Sequence, residues 1–268
     1  MEFPPLEELT FEVLPDDIGV LRINRPDRMN SQTIRMFREY GEAAMALRDA
    51  PLRALILTAS GQRAFCAGFD LDEIHKITEM GVREFLKFQE TATGGIQGIR
   101  HLPFPVIAAI HGPATGGGLA LALAADIRLC DPRAKFSAAF VKVGLSMGEL
   151  GTSYNLTRLV GPAKAAEIGY TARIVPADEA EQIGLVNRVV PTEELFDEAV
   201  AMARMIAQNS PGGVRMSKRA IQRNLEITSY AAALELENRG QALLTRSTDM
   251  PEALAAFKEK REPRFTGE

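Results

Sequence analysis

The segment His111–Asp126, HGPATGGGLALALAAD, sets three consecutive glycines directly against an apolar run of helical length. Glycine inside a helix costs roughly 1 kcal/mol relative to alanine, so a triplet at this junction requires a reason. A helix N-terminus carries unpaired N–H groups and a partial positive charge. Such a site suits an anion, or an oxygen that becomes anionic during a reaction. Glycine there permits unusual backbone angles and close approach of a ligand. A second loop, FCAGFDL (Phe65–Leu71), also puts small residues ahead of a helix. Taken singly, each loop reads more readily as packing. Nucleotide binding is disfavoured, because GGGLAL lacks both the Lys-Ser/Thr of a phosphate loop and the dinucleotide-binding spacing.

A proton-transfer group has to come from elsewhere. The stretch Val143–Gly161, VGLSMGELGTSYNLTRLVG, contains a single acidic residue, Glu149. A carboxyl group in a glycine-bearing loop can accept a proton, or it can cap a helix or face solvent. Tyr154 in the same stretch reads either as a reactive hydroxyl or as a buried tyrosine satisfying a backbone group. Of the three histidines, His111 sits at a strand end ahead of the glycines, whereas His75 and His101 read as surface or loop residues. Cys66 and Cys130 have no metal-ligand spacing and read as reduced core residues. No His/Cys/carboxylate cluster has ligand spacing, so no metal is expected.

These loops need a scaffold. FEVL and VLRIN, separated by Pro15-Asp16-Asp17, signal a hairpin over Phe11–Leu14 and Val20–Asn24. NRPDRMNS leads into an amphipathic helix with Asn30 or Ser31 as N-cap. LRALILTAS is a buried strand. Asp72–Gln97 reads as helix, broken near Gly81 and at Gly94-Gly95. FPVIAAIHG is a strand, Leu119–Ala125 a helix, DIRLCD a strand and AKFSAAFVKVGL a strand then a loop. Short helices follow, and from Thr192 onward only helical patterns remain. Strands alternating with helices and then a helical tail indicate an α/β class, with a core over 1–195 and a helical module over 196–268.

The 268 residues are 46% hydrophobic and 25% charged, an ordinary globular balance. A net charge of −4 gives no reason to expect nucleic acid or an anionic membrane as partner. The acidic, proline-bearing N-terminus is unlike a secretion or transit signal, and the most apolar window is interrupted by glycines and a proline. A cytoplasmic protein is expected.

In their order and spacing, NRPDRMNS, AFCAGFDL, PVIAAIHGPATGGGLALALAADIRL, AKFSAAFVKVGL and AFKEKREPRF resemble the crotonase (enoyl-CoA hydratase/isomerase) superfamily over about residues 10–265. The resemblance implies a ββα superhelical core, with a helical C-terminal module that builds homotrimers or dimers of trimers. It implies an acyl-CoA thioester as ligand, coenzyme A entering as part of the substrate and no separate cofactor. The matching oxyanion donors are the backbone N–H groups of Phe69 and Gly117. Arg28, Ala67, Phe140, Phe257 and Lys260 fall at or near positions that meet the CoA thioester, the last two commonly from a neighbouring subunit.

The chain departs from this pattern at the acids. Where family hydratases carry two glutamates, this chain has Ala120 and Phe140. In other branches a catalytic aspartate occupies the loop that here holds Glu149. The resemblance therefore points to isomerase-type proton shuttling by Glu149. Hydration, decarboxylation and a catalytically silent acyl-CoA binding protein remain alternatives. Dehalogenation lacks its histidine base in QETATGG, and RNA binding has no support from the acidic balance. Met147, Phe140 and the Asp72–Gln97 helix are expected to line the acyl pocket.

Overall fold

The computed structural model describes residues 3–268; Met1 and Glu2, part of the expected 1–195 segment, lie outside the described residues. The expected hairpin is present as Leu9–Leu14 (β1) and Ile18–Ile23 (β2), antiparallel, with Leu9 opposite Ile23. Both strands start two residues earlier than their apolar runs, because the ladder extends to the turn at Leu14–Ile18 and, at its other end, to Leu9–Ile23. In that turn Asp16 and Asp17 take positive φ, 66° and 55°, which short polar side chains tolerate.

The chain continues through α1 (Ile34–Leu47), β3 (Ala54–Ala59), α2 (Ile74–Glu79) and α3 (Val82–Arg100). Next come β4 (Val106–Ile110), β5 (Pro113–Thr115), α4 (Gly117–Ala124), β6 (Ile127–Cys130) and β7 (Lys135–Ser137). Beyond them lie α5 (Thr152–Val160), α6 (Pro162–Thr171), β8 (Val175–Pro176), α7 (Ala177–Gln182) and β9 (Arg188–Val189). Four helices end the chain: α8 (Leu195–Ala207), α9 (Pro211–Asn224), α10 (Tyr230–Leu244) and α11 (Asp249–Glu259).

A six-stranded sheet runs β1-β2-β3-β4-β6-β9, parallel except for the first pair, and β5-β7-β8 form a smaller sheet beside it. Parallel strands covered on both faces read as continuous apolar runs, which is why LILTA and VIAAI show no polar alternation. Leu55, Leu57, Val106 and Ala108 face the main core with α1, α3 and α4. Ala54, Ile56, Ile107 and Ala109 face the opposite side, where Leu195, Ala199 and Ala203 of α8 cover them at successive helical turns. Helix α8 therefore covers the sheet, whereas α10 buries no residue against the rest of the chain.

Two local expectations are corrected. The N-cap of α1 is Thr33, whose Oγ1 accepts the Met36 N–H at 3.0 Å. Asn30 and Ser31 are used instead to tie loops together, as described below. The expected break at Gly94-Gly95 does not occur: α3 runs unbroken through both. Gly95 is there for packing, since a Cβ on it would lie 2.6 Å from the Phe37 carbonyl of α1. The two helices approach closely enough that backbone meets backbone.

This contrast yields opposite signs at adjacent residues. Nothing lies within 4 Å of a Cβ built on Gly94, so Gly94→Ala should stabilise by up to about 1 kcal/mol through helix propensity. Gly95→Ala should destabilise by about 1–3 kcal/mol through overpacking. Urea unfolding of the two variants beside the parent chain checks both signs.

Candidate active site

The loop that carries Phe69 is laced between two partners. The Cys66 N–H donates to the Pro113 carbonyl at 3.0 Å and the Thr115 N–H donates to the Cys66 carbonyl at 3.0 Å, laying the loop alongside β5. Two residues later the partner changes. The Gln32 N–H donates to the Gly68 carbonyl at 2.7 Å, and the Asp70 N–H donates to the Gln32 carbonyl at 2.8 Å. A residue flanked this way in a parallel bridge turns its own amide to the opposite side. The Phe69 N–H accordingly faces away from Gln32 and has no acceptor among the described residues. Gly68, at φ 97°, makes this possible: a Cβ there would lie 2.8 Å from the Thr115 carbonyl oxygen and 3.7 Å from the Gly117 nitrogen. The two glycine loops are in contact.

Each member of the triplet answers to a different constraint. Gly116 is the N-cap of α4 and holds φ 53°, ψ −116°, a region closed to residues with a Cβ. Its N–H donates to the Ser137 carbonyl at 2.9 Å, and its carbonyl accepts the first intrahelical bond, from Ala120, at 3.0 Å. A Cβ on Gly117 would fall on the carboxamide oxygen of Gln32, and one on Gly118 would fall on the Cys66 carbonyl. The Gly117 N–H, first in the helix, has no acceptor among the described residues. All eight residues of α4 are buried, so the dipole at its start is shielded from bulk water. Two unpaired N–H groups on adjoining loops are what an oxyanion site requires.

Beneath Phe69 the loop is fastened by charge. Asp70, 4% exposed, accepts from Arg25 Nη1 at 2.8 Å, from Ser31 Oγ at 3.0 Å and from the Asp72 N–H at 3.0 Å. Burial by itself would raise its pKa, but the Arg25 guanidinium and these donors outweigh it and hold the carboxyl down at about 2. Asn30 completes the tie: its Oδ1 accepts the Arg25 N–H, and its Nδ2 donates to the Ser60 and Ala64 carbonyls. Its own φ is 54°.

Glu149 lies in the turn before α5, and its carbonyl accepts the Thr152 N–H at 2.8 Å. Its carboxylate meets no cation among the described residues, only Gln89 Nε2 of α3 at 3.4 Å. Burial pushes its pKa up, opposed only by that amide. Two neighbours locate it. Leu150, held at φ 51°, places Cδ1 3.6 Å from where a Cβ on Gly117 would sit. Phe88, next to Gln89, packs its ring 6.2 Å from that of Phe69. The Glu149 turn and α3 therefore both adjoin the two glycine loops. A left-handed leucine costs about 1–2 kcal/mol, strain placed next to a half-buried carboxyl that has no counter-ion.

The other expected site residues are divided. Phe140 is buried in a short 3-10 turn, with Cε1 3.9 Å from a Cβ position on Gly116. Ala120 is buried in α4. Ala67 is half-buried at the mouth of the Phe69 loop, its N–H donating to the Met29 carbonyl at 3.1 Å. Arg28 is exposed and its guanidinium is paired with Asp72 and Asp70. Phe257, 86% exposed, and Lys260, the exposed C-cap of α11, make no hydrogen bond or ring contact with the site loops among the described residues. Tyr154 turns away, under the Arg158 guanidinium and with its hydroxyl 3.4 Å from Glu226. Met147 packs its sulfur onto Gly169 of α6. His111 is buried and its pKa is lowered by desolvation, while His75 and His101 are exposed. Cys66 is fully buried, and burial pushes its thiol up to about 12. No cluster of three metal-ligating side chains occurs among the described residues, and no helix among them is long and apolar enough to cross a membrane.

The chain matches a family model described as enoyl-CoA hydratase/isomerase over residues 14–268. It is 40% identical over 258 residues to a probable enoyl-CoA hydratase of Mycobacterium tuberculosis, covering 93% of this chain and 90% of that one. The chain belongs to the enoyl-CoA hydratase/isomerase family. A crotonyl-CoA hydratase of Syntrophomonas wolfei is 37% identical over 251 residues, covering 93% of this chain and 95% of the relative. The crystal structure of an enoyl-CoA hydratase from Bacillus anthracis superposes with a TM-score of 0.92 at 32% identity, covering 98% of this chain and all of that one. The fold of this family member is thus the crotonase fold.

Arg25, Gln32, Asp70 and Gln89 were not singled out from the sequence. Arg25, Asp70 and Gln32 sit in or beside quoted motifs, but nothing in their spacing revealed that they converge. Asp70 stabilises the fold above the ordinary aspartate pKa of 3.8, and this stability is lost as pH falls from there through about 2. Asp70→Asn should cost about 3 kcal/mol at neutral pH and flatten acid denaturation in that window, read by circular dichroism across pH 2–7.

Proposed function

We propose that this chain acts on an acyl-CoA thioester, holding the carbonyl oxygen of its enolate between the Phe69 and Gly117 N–H groups, with Glu149 as the proton carrier. The observation that supports this reading is that two unpaired amides lie on adjoining loops, with a half-buried carboxyl that has no counter-ion in the turn packed beside the glycine triplet. Glu149, ionised, takes a proton from the carbon beside the thioester carbonyl. The C–H electron pair moves into the enolate and the charge settles on the thioester oxygen, facing the two amides. With a double bond one carbon further along, the charge extends to the γ-carbon. The same carboxyl returns the proton there, and the double bond moves into conjugation. No other reactant is consumed. One carboxyl suffices, which matches Ala120 and Phe140 at the positions where the resemblance puts two hydratase glutamates.

Desolvation serves this role. A carboxylate without a cation is a stronger base than a paired one, and its raised pKa brings it closer to the working pH. Losing one oxyanion donor typically costs on the order of 3 kcal/mol of transition-state stabilisation, so the paired amides carry the larger share of the barrier. A second reading, hydration of a conjugated thioester with Glu149 activating water, is favoured by the hydratase names of the relatives. The exposed Phe257 and Lys260 fit a tail that reaches the CoA of a neighbouring copy.

Mass spectrometry of a panel of enoyl-, dienoyl- and malonyl-type CoA thioesters separates these reactions: unchanged mass with a shifted double bond supports isomerisation. Gain of water indicates hydration, and loss of carbon dioxide indicates decarboxylation. Tight binding without conversion of any member overturns the catalytic reading.

Glu149→Gln should reduce kcat at least a thousandfold while thioester affinity changes less than about threefold. Its folded pKa is raised, so ionisation weakens the fold as pH rises above 4.5. The glutamine variant should therefore melt no lower than the parent at neutral pH, and the parent's activity should rise with pH through an apparent pKa above the ordinary glutamate value. Full activity in the variant refutes the assignment.

A further inference from the structure

Gln32 is fully buried, yet it is polar, and its Oε1 has no hydrogen-bond donor among the described residues. A buried unpaired acceptor opposes folding, and an apolar residue would avoid that cost. Its position suggests what it offers in return. The main chain of Gln32 grips both sides of Phe69, donating to Gly68 at 2.7 Å and accepting from Asp70 at 2.8 Å. Its side chain reaches the other loop, Nε2 donating to the Gly117 carbonyl at 3.3 Å and lying 3.4 Å from the Tyr40 hydroxyl. The carboxamide oxygen occupies the space that a side chain on residue 117 would need.

We infer that Gln32 is the positioning residue that sets the two amides against one another. The inference rests on the oxyanion reading proposed above. A hydrogen bond to the Gly117 carbonyl fixes the tilt of the peptide that follows the Gly117 donor. Fixing that peptide restricts the first turn of α4, where no side chain caps the helix. Because the same residue is bonded to the Phe69 loop through its main chain, the spacing of the two donors is set within one residue. Displacement of a reacting group by about 1 Å costs roughly a hundredfold in rate, so a loose second donor would cost most of the benefit of the pair. Gln32 makes no hydrogen bond to either free N–H, and its part is positional.

The test uses Gln32→Met, which keeps length and the main-chain bonds and removes both carboxamide groups. Gln32→Leu serves as a second apolar variant. Two readouts are taken on the full chain: kcat and KM for a thioester it turns over, and the absorption of bound cinnamoyl-CoA. The conjugated carbonyl of that thioester shifts to the red when donors polarise it. The expected result is a roughly ten- to hundredfold fall in kcat with KM changed less than threefold. The red shift seen with the parent should shrink, and the melting temperature should be equal or higher because the unpaired acceptor is gone. Unchanged kcat and an unchanged red shift in the methionine variant overturn the positioning role while leaving the oxyanion site standing. A parent chain that binds cinnamoyl-CoA without any red shift overturns the oxyanion reading and this inference together. A lower melting temperature with unaltered kcat and red shift assigns Gln32 a purely structural part, which also overturns it.

Discussion

The site depends on a change of partner within five residues. At Cys66 the Phe69 loop is bonded to β5, and from Gly68 to Asp70 it is bonded to Gln32. An extended chain has amides on alternating sides, so a segment bonded on both edges ordinarily leaves none free. Here the handover is made at Gly68, in a backbone conformation that needs glycine, and the next amide is left without an acceptor among the described residues, on a loop that adjoins the start of α4. Everything else supports that one unspent donor. The Asp70 network holds the loop from below, the bulk of Phe69 is packed against Phe37 and Phe88, and β5 supplies a fixed edge.

Stability and chemistry are distributed unevenly around this point. Asp70 is buried but fully bonded, so its charge favours folding. Glu149 is half-buried without a cation, and burial raises its pKa; Leu150 is left-handed and Gln32 keeps an unpaired oxygen, each of the latter two opposing folding by an amount of order 1–3 kcal/mol. Gln32 and Leu150 both pack against the glycine triplet. The two-sided sheet core, with α8 on one face and α1, α3 and α4 on the other, is what can carry such a concentration of unfavourable groups.

Legibility followed the physics. The long parallel strands and the helical tail were readable because burial on two faces and 3.6-residue periodicity leave direct traces. The glycine loops were legible as positions where backbone comes close to backbone, whereas their reading as donor-bearing turns came from the family resemblance. What escaped was whatever depends on contact between distant residues. A Gly94-Gly95 pair looks like a helix break until α1 is known to lie across Gly95. Asn30 and Ser31 have the right chemistry to cap α1, yet both are drawn off to Ala64 and Asp70. The strands β5 and β8, three and two residues long, are too short to show a period. The pairing of Arg28 with Asp70 and Asp72 likewise left no trace in their spacing.

The most consequential contact of this kind is between Gln32 and Gly117, 85 positions apart. Local pattern makes Gln32 an unremarkable polar residue before a helix, and local pattern makes Gly117 a helix-start glycine. Only their meeting explains both: the glutamine fills the volume that glycine vacates, and the glycine carbonyl accepts the bond that holds the carboxamide. Either residue alone would be a liability, one as a buried amide and the other as a flexible helix start. Together they tie two loops from different parts of the chain to each other, and on the oxyanion reading proposed above a pre-set pair of donors would stabilise developing charge without reorganising when the charge appears.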